Sequence, residues 1–461
     1  MSSQHLDYDQ ADSQDYAKKF SRGLSEELVR EISAKKNEPE WLLDIRLKAF
    51  AKFQEMEMPK WGPSLKNLDL DKIRYYTQAS DKKSAKNWDE VDPQIKATFE
   101  RLKIPEAERH YLAGSGAQYE SETVYHKLKD TWETRGVIFL DLDEAVKRYP
   151  EIVRKYFAKC VPITDHKFAA LHYAVFSGGT FLYIPENVKI DAPLQAYFRM
   201  NSMNQGQFEH TLIIVEKGAS AHYIEGCSAP KYGSESLHAG CVEIFVEDFA
   251  DFRYSSVENW SSDTYNLNTK RAIVGNSAKI EWVGGNFGSG VTMLYPCSIL
   301  RGNNSQADHL GVAFAGKNQI QDTGAKIIIA GKNCRASSIA KSISKDGGQS
   351  IYRGLVQIQK FAENALVNVD CDALMMDELS VSDTVPVIKN NCPTASVVHE
   401  ASAGKISEEV LLFFASRGIN EESAKGIIVN GFLSEVVKTL PLEFASELNQ
   451  IIEMEMEGSI G

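Results

Sequence analysis

The sequence has no long hydrophobic run and no paired-cysteine motif. None of its apolar segments approaches the roughly 20 residues that span a bilayer, and the start M-S-S-Q-H-L-D-Y-D-Q is too polar for a signal peptide. Its seven cysteines are an odd number without a C-x-x-C, which argues against a disulfide framework and an ordinary zinc site. We therefore expect a cytoplasmic protein without a membrane partner, in which any functional thiol acts singly.

Basic residues are fewer than acidic ones. The 51 Lys and Arg against 63 Asp and Glu give a formal net charge of -12, which opposes the phosphate backbone, so we expect no nucleic-acid partner. The hydrophobic fraction of 43% and the charged fraction of 25% are typical of a soluble globular protein. At 461 residues the chain is too long for one ordinary core, which indicates two or three domains or an elongated repeat.

A phosphate-binding loop is also missing. The glycine-rich segment G-G-N-F-G-S-G at 284–290 lacks both the Lys-Ser/Thr ending and a following helix. We predict that this segment is a turn and that the chain has no ATP site of its own.

From about Gly179 the chain consists of short apolar segments separated by recurrent turn signals. Examples are G-N-S-A-K at 275, G-N-N-S-Q at 302, G-K-N-C-R at 331 and A-E-N-A-L at 362, and successive turns lie about 26 to 31 residues apart or half that. This period is typical of a solenoid. Alternation in A-K-I-E-W-V and A-K-I-I-I-A places one apolar row toward a shared lumen. We predict a mainly β fold with a parallel β-helix core; a β-sandwich with irregular loops is the alternative.

The solenoid is flanked by helical patterns. We predict an N-terminal helical region with an extended linker at 1–120, a mixed α/β lead-in at 121–178, the β-helix at 179–404 and a C-terminal helical domain at 405–461. Acidic helix starts follow Ser407, Asn420 and Pro441. The simplest interpretation is a small bundle that caps the solenoid end. Docking of a partner protein is the alternative.

Candidate functional residues lie near the end of the predicted β-helix. In the strand A-L-V-N-V-D-C-D, a period of two puts Cys371 on an apolar face with Val367 and Val369. The strand A-S-V-V-H-E-A brings His399 and Glu400, and a sulfur, a nitrogen and an oxygen ligand together suit iron or zinc. Adjacent residues of a regular strand face opposite sides, so one of these two can approach Cys371 without a bulge. The alternative is that Cys371 is a small buried hydrophobe and His399 a surface residue.

The remaining cysteines and several histidines are predicted to be structural. Cysteines are often buried as small apolar residues, and a strand histidine is usually satisfied by its neighbours. We expect packed cysteines at Cys160, Cys241, Cys297, Cys334 and Cys392 and satisfied strand histidines rather than ligands at His172, His210 and His222.

Many local motifs match one known family across nearly the whole chain. They include Y-I-P-E-N-V, Y-I-E-G-C-S-A-P, L-R-G-N-N-S, Y-R-G-L-V, C-D-A-L-M-M, V-H-E-A, R-G-I-N-E-E-S-A and L-P-L-E-F-A. The chain resembles the SufB family, the scaffold subunits of the SUF machinery for iron–sulfur cluster assembly. The resemblance implies a right-handed parallel β-helix between helical regions. The paralogous SufD family is the nearest confusable one, and Cys371 together with V-H-E-A favours SufB.

The resemblance also implies roles for single residues. The cluster-assembly cysteine matches Cys371, the acidic residue that acts with it matches Glu400, preceded by His399, and the first sulfur acceptor matches Cys227. A sulfur path through the β-helix matches Arg199, Asn201, Trp260 and Lys270, with Glu258 where the family has glutamine. We expect Glu258 within salt-bridge reach of Lys270 or Arg199, leaving a net positive site for the persulfide anion.

A scaffold rather than an enzyme is the function that this resemblance implies. Persulfide sulfur would arrive at Cys227 and a transferable cluster would form at Cys371. The expected partners are a SufC ATPase that docks on the C-terminal helices, a SufD paralogue or a second SufB, and a cysteine desulfurase or sulfur carrier. Reduced flavin is a candidate cofactor. The alternatives are a SufD-like structural paralogue and a β-helix carbohydrate-active enzyme, which would need an outer groove of carboxylates and basic residues.

Overall fold

The computed structural model of the protein describes residues 18–78, 88–93, 95–97, 112–201, 204–230, 233, 235–438 and 452. No helix within these ranges is long and apolar enough to cross a membrane. The helix predicted to begin at Pro441 lies outside the described residues.

Short helices and strands precede the solenoid. The helices are α1 Glu26–Lys36, α2 Glu40–Glu55, α3 Asp130–Glu133, α4 Leu142–Arg148, α5 Pro150–Tyr156 and α6 Lys167–Val175, with a 3₁₀ turn at Trp88–Glu90. The strands are β1 Lys18–Lys19, β2 Thr77–Gln78, β3 Gly114–Tyr119, β4 Glu122–Leu128 and β5 Ile138–Asp141. Ser25 caps α1 by accepting a hydrogen bond from the backbone N–H of Leu28, and two acidic residues occupy the first turn of that helix, where they complement the helix dipole.

The solenoid strands follow in chain order. They are β6 Thr180–Ile184, β7 Leu194–Arg199, β8 Gly206–Gln207, β9 His210–Val215, β10 Ser220–Ser228, β11 Ser236–His238, β12 Cys241–Val246, β13 Asp251–Asn259, β14 Thr264–Asn266, β15 Thr269–Val274, β16 Lys279–Phe287, β17 Val291–Leu294 and β18 Cys297–Leu300. The later coils contain the longer strands β19 Gln306–Ala315, β20 Ile320–Ile329, β21 Arg335–Ser344, β22 Gln349–Ile358, β23 Leu366–Met375, β24 Val381–Asn390 and β25 Ser396–Lys405. The predicted turn at 284–290 is partly wrong, because residues 284–287 belong to β16.

Two long sheets enclose the lumen. One has the order β25-β23-β21-β19-β16-β13-β10-β7-β3-β4, and the other runs β5-β6-β9-β12-β15-β18-β20-β17-β14-β11-β8 with β22 and β24 added beyond β20. Consecutive coils pair in parallel and in register, as in Asp251↔Lys279 between β13 and β16. The predicted parallel β-helix is confirmed, with about 8 turns. Its first sheet begins earlier than expected, because β3 pairs in parallel with β7.

The predicted turns carry left-handed residues. Ser277, Asn304, Asn333 and Asn364 have φ between 50° and 58° and lie 27, 29 and 31 residues apart. Asparagine tolerates this region because its short polar side chain bonds the nearby backbone. The recurrence of such a residue at the same corner of successive coils accounts for the period that the sequence displays.

Three apolar layers hold the coils together. The lumen contains Ile280, Trp282, Ile327 and Ile329, which come from the two segments predicted to alternate. The N-terminal helices cover the outer face of the sheet that contains β9 and β12. A smaller cluster covers the outer face of the opposite sheet.

The C-terminal helices are α7 Glu408–Ala415 and α8 Glu421–Val437. Val429 and Leu433 of α8 pack beside Val312 and Phe314, on the outer face of β19. Helix α8 therefore lies along the side of the solenoid, so the expected cap over its end is wrong for this helix. Strands β24 and β25 stand at the sheet ends.

Candidate functional site

Cys371 lies inside the last coils of the solenoid. Its thiol is 5% exposed and belongs to the lumen cluster together with Val367 and Val369, as the alternation of β23 predicts. The thiol Sγ is 3.6 Å from His399 Nε2 on the neighbouring strand β25. Tyr352 of β22 also contacts it across the lumen. A sulfur and an imidazole nitrogen thus share one enclosed space.

This environment keeps the thiol protonated. Burial raises the pKa of Cys371 to about 12, Asp370 and Asp372 add to the shift by charge repulsion, and a hydrogen bond with Tyr352 opposes it. A thiolate is the form that binds metal or attacks sulfur. Cys371 therefore needs a change in its surroundings, or a metal ion, to lose its proton.

Glu400 is placed apart from Cys371. In the parallel register it lies opposite Asp370, whereas Cys371 lies opposite Ala401. Adjacent residues of a strand face opposite sides, so His399 shares the face of Cys371 and Glu400, which is exposed, points away. Of the two neighbours predicted to approach Cys371, the structure brings in the histidine.

Cys227 lies in the same lumen, about 24 Å from Cys371 along the axis, since five strand steps of about 4.8 Å separate β10 from β23. It is 1% exposed and pairs in register with Glu258. Burial raises the pKa of Cys227 well above its usual value, and Glu225 and Glu258 add to the shift while Lys270 opposes it.

Lys270 is the centre of a buried charge network beside Cys227. Its Nζ lies 2.6 Å from Glu258 Oε1 and 3.6 Å from Glu225 Oε1. Asn266 donates to the other oxygen of Glu258 at 2.6 Å, and Trp260 Nε1 lies 3.5 Å from it. The expected contact between Glu258 and Lys270 is present.

Lys270 and the two carboxyl groups shift one another's pKa. Burial alone would lower the pKa of Lys270, but Glu258 and Glu225 raise it. Burial raises the pKa of Glu225, whereas Lys270 and His238 outweigh burial and hold the pKa of Glu258 below its usual value. Of the two carboxyl groups that face the lysine, Glu258 therefore ionises more easily than usual and Glu225 less easily.

Two predicted path residues do not belong to this network. Arg199 donates to Ser228 Oγ at 2.9 Å, and Ser228 follows Cys227 in β10, so it faces the other side of the sheet. The backbone N–H of Asn201 donates to Glu120 at 3.2 Å. Both residues are buried, but Arg199 lies on the outer face rather than in the lumen.

A cavity joins the network to Cys371. Its lining includes Lys270, Tyr254, Tyr352 and Cys371. The volume is about 60 Å³, and a water molecule needs roughly 10–15 Å³ on this measure. Small species can therefore occupy the space between Lys270 and Cys371.

A column of small residues keeps this cavity open. Cys371 is in register with Ala340, which pairs with Gly311, which pairs with Gly284. A Cβ added at Gly311 would meet nothing within 4 Å. Two glycines and an alanine in three successive coils therefore leave a free strip along the lumen wall.

Neither this column nor the role of Tyr352 was predicted from the sequence. Gly284, Gly311 and Ala340 lie about 28 residues apart, and their alignment requires the strand register. Tyr352 belongs to the quoted motif Y-R-G-L-V, but its position opposite Cys371 depends on how the two sheets face each other.

Comparison with known proteins places the chain in a family. Residues 198–432 match the family model described as the SUF system FeS cluster assembly, SufBD core domain, and residues 26–196 match the SufBD protein N-terminal region. The chain is 51% identical over 440 residues, covering 95% of itself and 94% of the relative, to an iron–sulfur cluster assembly SufBD family protein of Staphylococcus aureus strain MRSA252. A SufBD family protein of Staphylococcus epidermidis is also 51% identical over 440 residues. The chain therefore belongs to the SufBD family of iron–sulfur cluster assembly proteins.

Proposed function

We propose that this protein is the SufB-type scaffold on which a cluster is built, with sulfur entering at Cys227 and iron meeting it at Cys371. The observation that carries the proposal is the cavity that is lined by both Lys270 and Cys371 and kept open by the small-residue column. A SufD-like structural paralogue would not need a thiol beside an imidazole at the end of such a passage. Membership of the family argues against the carbohydrate-active alternative.

Sulfur must cross about 24 Å, so direct attack of one thiol on the other is excluded. We propose that the persulfide at Cys227 takes two electrons and one proton, its S–S bond breaks, and a Cys227 thiolate and a hydrosulfide ion result. Reduced flavin is the class of reductant that we expect. Hydrosulfide then moves along the cavity to iron at Cys371.

The proposed cluster site at Cys371 should hold its product weakly, because it offers few ligands. One thiolate and one imidazole are fewer than the four ligands of a resident cluster, so the product can leave. Glu400 remains a predicted oxygen ligand. Because Glu400 faces away from Cys371, binding iron beside that thiol would require a local shift of β25.

Anaerobic assembly tests the function. The full chain, a cysteine desulfurase, ferrous iron and reduced flavin are mixed, and the cluster is measured by absorbance and Mössbauer spectroscopy while persulfide at Cys227 is measured by mass spectrometry. We expect persulfide first and cluster afterwards. A chain that binds neither sulfur nor iron would contradict the proposal.

Cys371 is expected to react slowly with alkylating reagents. With a pKa of about 12, its thiolate fraction at pH 8 is roughly 10⁻⁴ and rises about tenfold per pH unit. Mass-spectrometric labelling should therefore be slow in the isolated chain, become faster with pH, and increase when the ATPase partner and nucleotide are added. The same peptide in denaturant is the reference, and equally fast labelling of folded and unfolded chain would disprove the prediction.

Helix α7 is proposed as the docking site of the SufC ATPase. None of its residues is buried, and Val410, Leu412 and Phe413 are 41%, 67% and 52% exposed. An apolar helix face of this kind suits a partner surface. This exposure supports the docking alternative for the C-terminal helices.

Charged substitutions on α7 should therefore weaken that association. We expect Leu412→Glu/Phe413→Glu to lower co-purification with the ATPase at least tenfold, and deletion of 406–461 to abolish it. Phe361→Glu is the matched control, because Phe361 is 72% exposed on a solenoid turn. Unchanged binding by the α7 variant would place the ATPase elsewhere.

The solenoid end formed by β24 and β25 is proposed to receive a SufD paralogue or a second copy. These strands end the two sheets, and Val381, Val387, Ile388 and Val398 there are 41% to 48% exposed. A strand at the end of a sheet favours association with another chain.

Removal of Lys270 should destabilise the lumen. Lys270→Ala leaves Glu258 charged and unpaired in a fully buried position, and breaking a buried pair in this way costs about 3–5 kcal/mol. We expect a clear fall in the thermal unfolding temperature. The double variant Lys270→Met/Glu258→Gln should recover most of the lost thermal stability. No recovery would contradict the proposed ion pair between Lys270 and Glu258.

The double variant then isolates the role of the lysine in sulfur transfer. We expect persulfide loading at Cys227 to survive and cluster formation at Cys371 to be lost. Normal cluster formation would show that Lys270 is structural.

A further inference from the structure

A second group of metal-ligating side chains lies outside the lumen. It consists of His172 on α6, His210 at the start of β9 and Cys241 at the start of β12. All three are at most 1% exposed, and one potential ligand atom from each lies within 4.8 Å of the others. His210 and Cys241 are register partners on the sheet face that the N-terminal helices cover.

The hydrogen-bond partner of His172 fixes its tautomer. Its Nδ1 is 2.9 Å from the carbonyl oxygen of Ala239. A carbonyl oxygen accepts and cannot donate, so Nδ1 carries the hydrogen. In the neutral ring, Nε2 then presents a lone pair.

The surroundings of His210 bear on which of its ring nitrogens carries the hydrogen. Its Nε2 is 3.2 Å from Glu243 Oε2, although the angle is too poor for a good hydrogen bond. Glu243 accepts from the backbone N–H groups of Ala158, Cys160 and Val161 at 2.7 to 2.8 Å, so its oxygens act as acceptors here. With the ring hydrogen on Nε2, toward these accepting oxygens, Nδ1 presents a lone pair, and this is the tautomer that ligation through Nδ1 needs.

In these tautomers the two lone pairs face each other. His172 Nε2 and His210 Nδ1 are 2.9 Å apart, a separation that either a hydrogen shared between the two nitrogens or a metal ion bound by both accounts for.

We propose that His172, His210 and Cys241 bind one divalent transition-metal ion of the zinc or iron(II) class. Two metal–nitrogen bonds of about 2.0–2.1 Å at a tetrahedral angle need the nitrogens roughly 3.3 Å apart, a small expansion from 2.9 Å. Imidazole and thiolate ligands together suit this class of metal. The distal ring nitrogens are already held by Ala239 and Glu243, as in metal-bound histidines.

The charges also balance at this site. Metal binding displaces the Cys241 proton, and the resulting thiolate and the Glu243 carboxylate offset the two positive charges. The ion would connect α6 to β9 and β12, and so tie the N-terminal helices to the solenoid. His172 lies on a helix and not on the strand that was expected for it, although both of its ring nitrogens have hydrogen-bond partners, as expected of a satisfied histidine.

The full chain expressed in cobalt-supplemented minimal medium tests the proposal. A Cys371→Ala background removes the proposed cluster site from the measurement. We expect one cobalt ion per chain, with a thiolate-to-cobalt charge-transfer band. The band should disappear in Cys241→Ala and persist in the matched control Cys160→Ala, another buried thiol near the same helices.

X-ray absorption on the Cys371→Ala chain provides a readout that does not depend on the folding of the Cys241 variant. One sulfur and two nitrogen ligands are expected, with either zinc, cobalt or iron bound. Folded chains without stoichiometric metal, or a spectrum unchanged by Cys241→Ala, would overturn the proposal and leave a shared proton between the histidines.

Discussion

Gly311→Leu is expected to abolish cluster formation at Cys371 while persulfide loading at Cys227 continues. Gly311 lies midway in the small-residue column, between Gly284 and Ala340. An added Cβ there meets nothing within 4 Å, so the leucine side chain enters the cavity instead of clashing with the wall. Glycine is itself unfavourable in a strand, so the strand should tolerate its replacement and the fold should survive.

Gly311→Ala is the matched control, because one methyl group leaves the strip open. We expect it to assemble clusters at the wild-type rate. Persulfide is measured by mass spectrometry, cluster by absorbance, and folding by thermal unfolding. Full cluster formation in the leucine variant would show that sulfur does not pass this coil, and loss of both signals would indicate misfolding.

The fold was predictable from the sequence because its turns are local. Each left-handed turn residue, such as Asn304 or Asn333, stands in a Gly/Asn-rich segment that can be recognised without knowing its neighbours. The lumen rows are also local, because alternation along one strand decides which side chains face inward. Period and alternation together therefore indicate a β-helix.

The position of the C-terminal helices was not predictable in this way. An apolar face on α8 shows that the helix packs on something, but not on what. Its contacts with Val312 and Phe314 depend on the outer face of a strand more than 100 residues earlier. The cap was the simplest interpretation of the pattern, and the side of the sheet is where the described helix lies.

The candidate site was predictable in part. Alternation places Cys371 in the lumen, and the rule that His399 and Glu400 face opposite sides is a property of any strand. Which of the two approaches Cys371 depends on the register of β25 against β23. The cavity also depends on strand register, because the pairing of successive strands is what aligns Gly284, Gly311 and Ala340.

Cys371→Ala is expected to eliminate the cluster completely. Cys371 provides the thiol that shares the cavity end with His399, and an imidazole alone cannot hold iron and sulfide together. Persulfide at Cys227 should remain, because that thiol lies in an earlier coil. Anaerobic assembly followed by Mössbauer spectroscopy measures the loss, and His399→Ala should weaken the cluster without preventing sulfur loading.

Cys334→Ala separates this effect from the cost of removing any buried thiol. Cys334 is fully buried, and its Sγ lies 3.3 Å from both Ser305 Oγ and the carbonyl oxygen of Gly302. Removing this thiol therefore costs at least as many protein contacts as removing the thiol of Cys371. We expect normal cluster formation in this variant. If both alanine variants lose the cluster equally, the defect is one of packing, and if neither does, iron is held elsewhere. Glu400→Gln then decides between the two neighbours, because a loss as large as that of Cys371→Ala would require β25 to shift during assembly and turn the carboxylate toward the thiol.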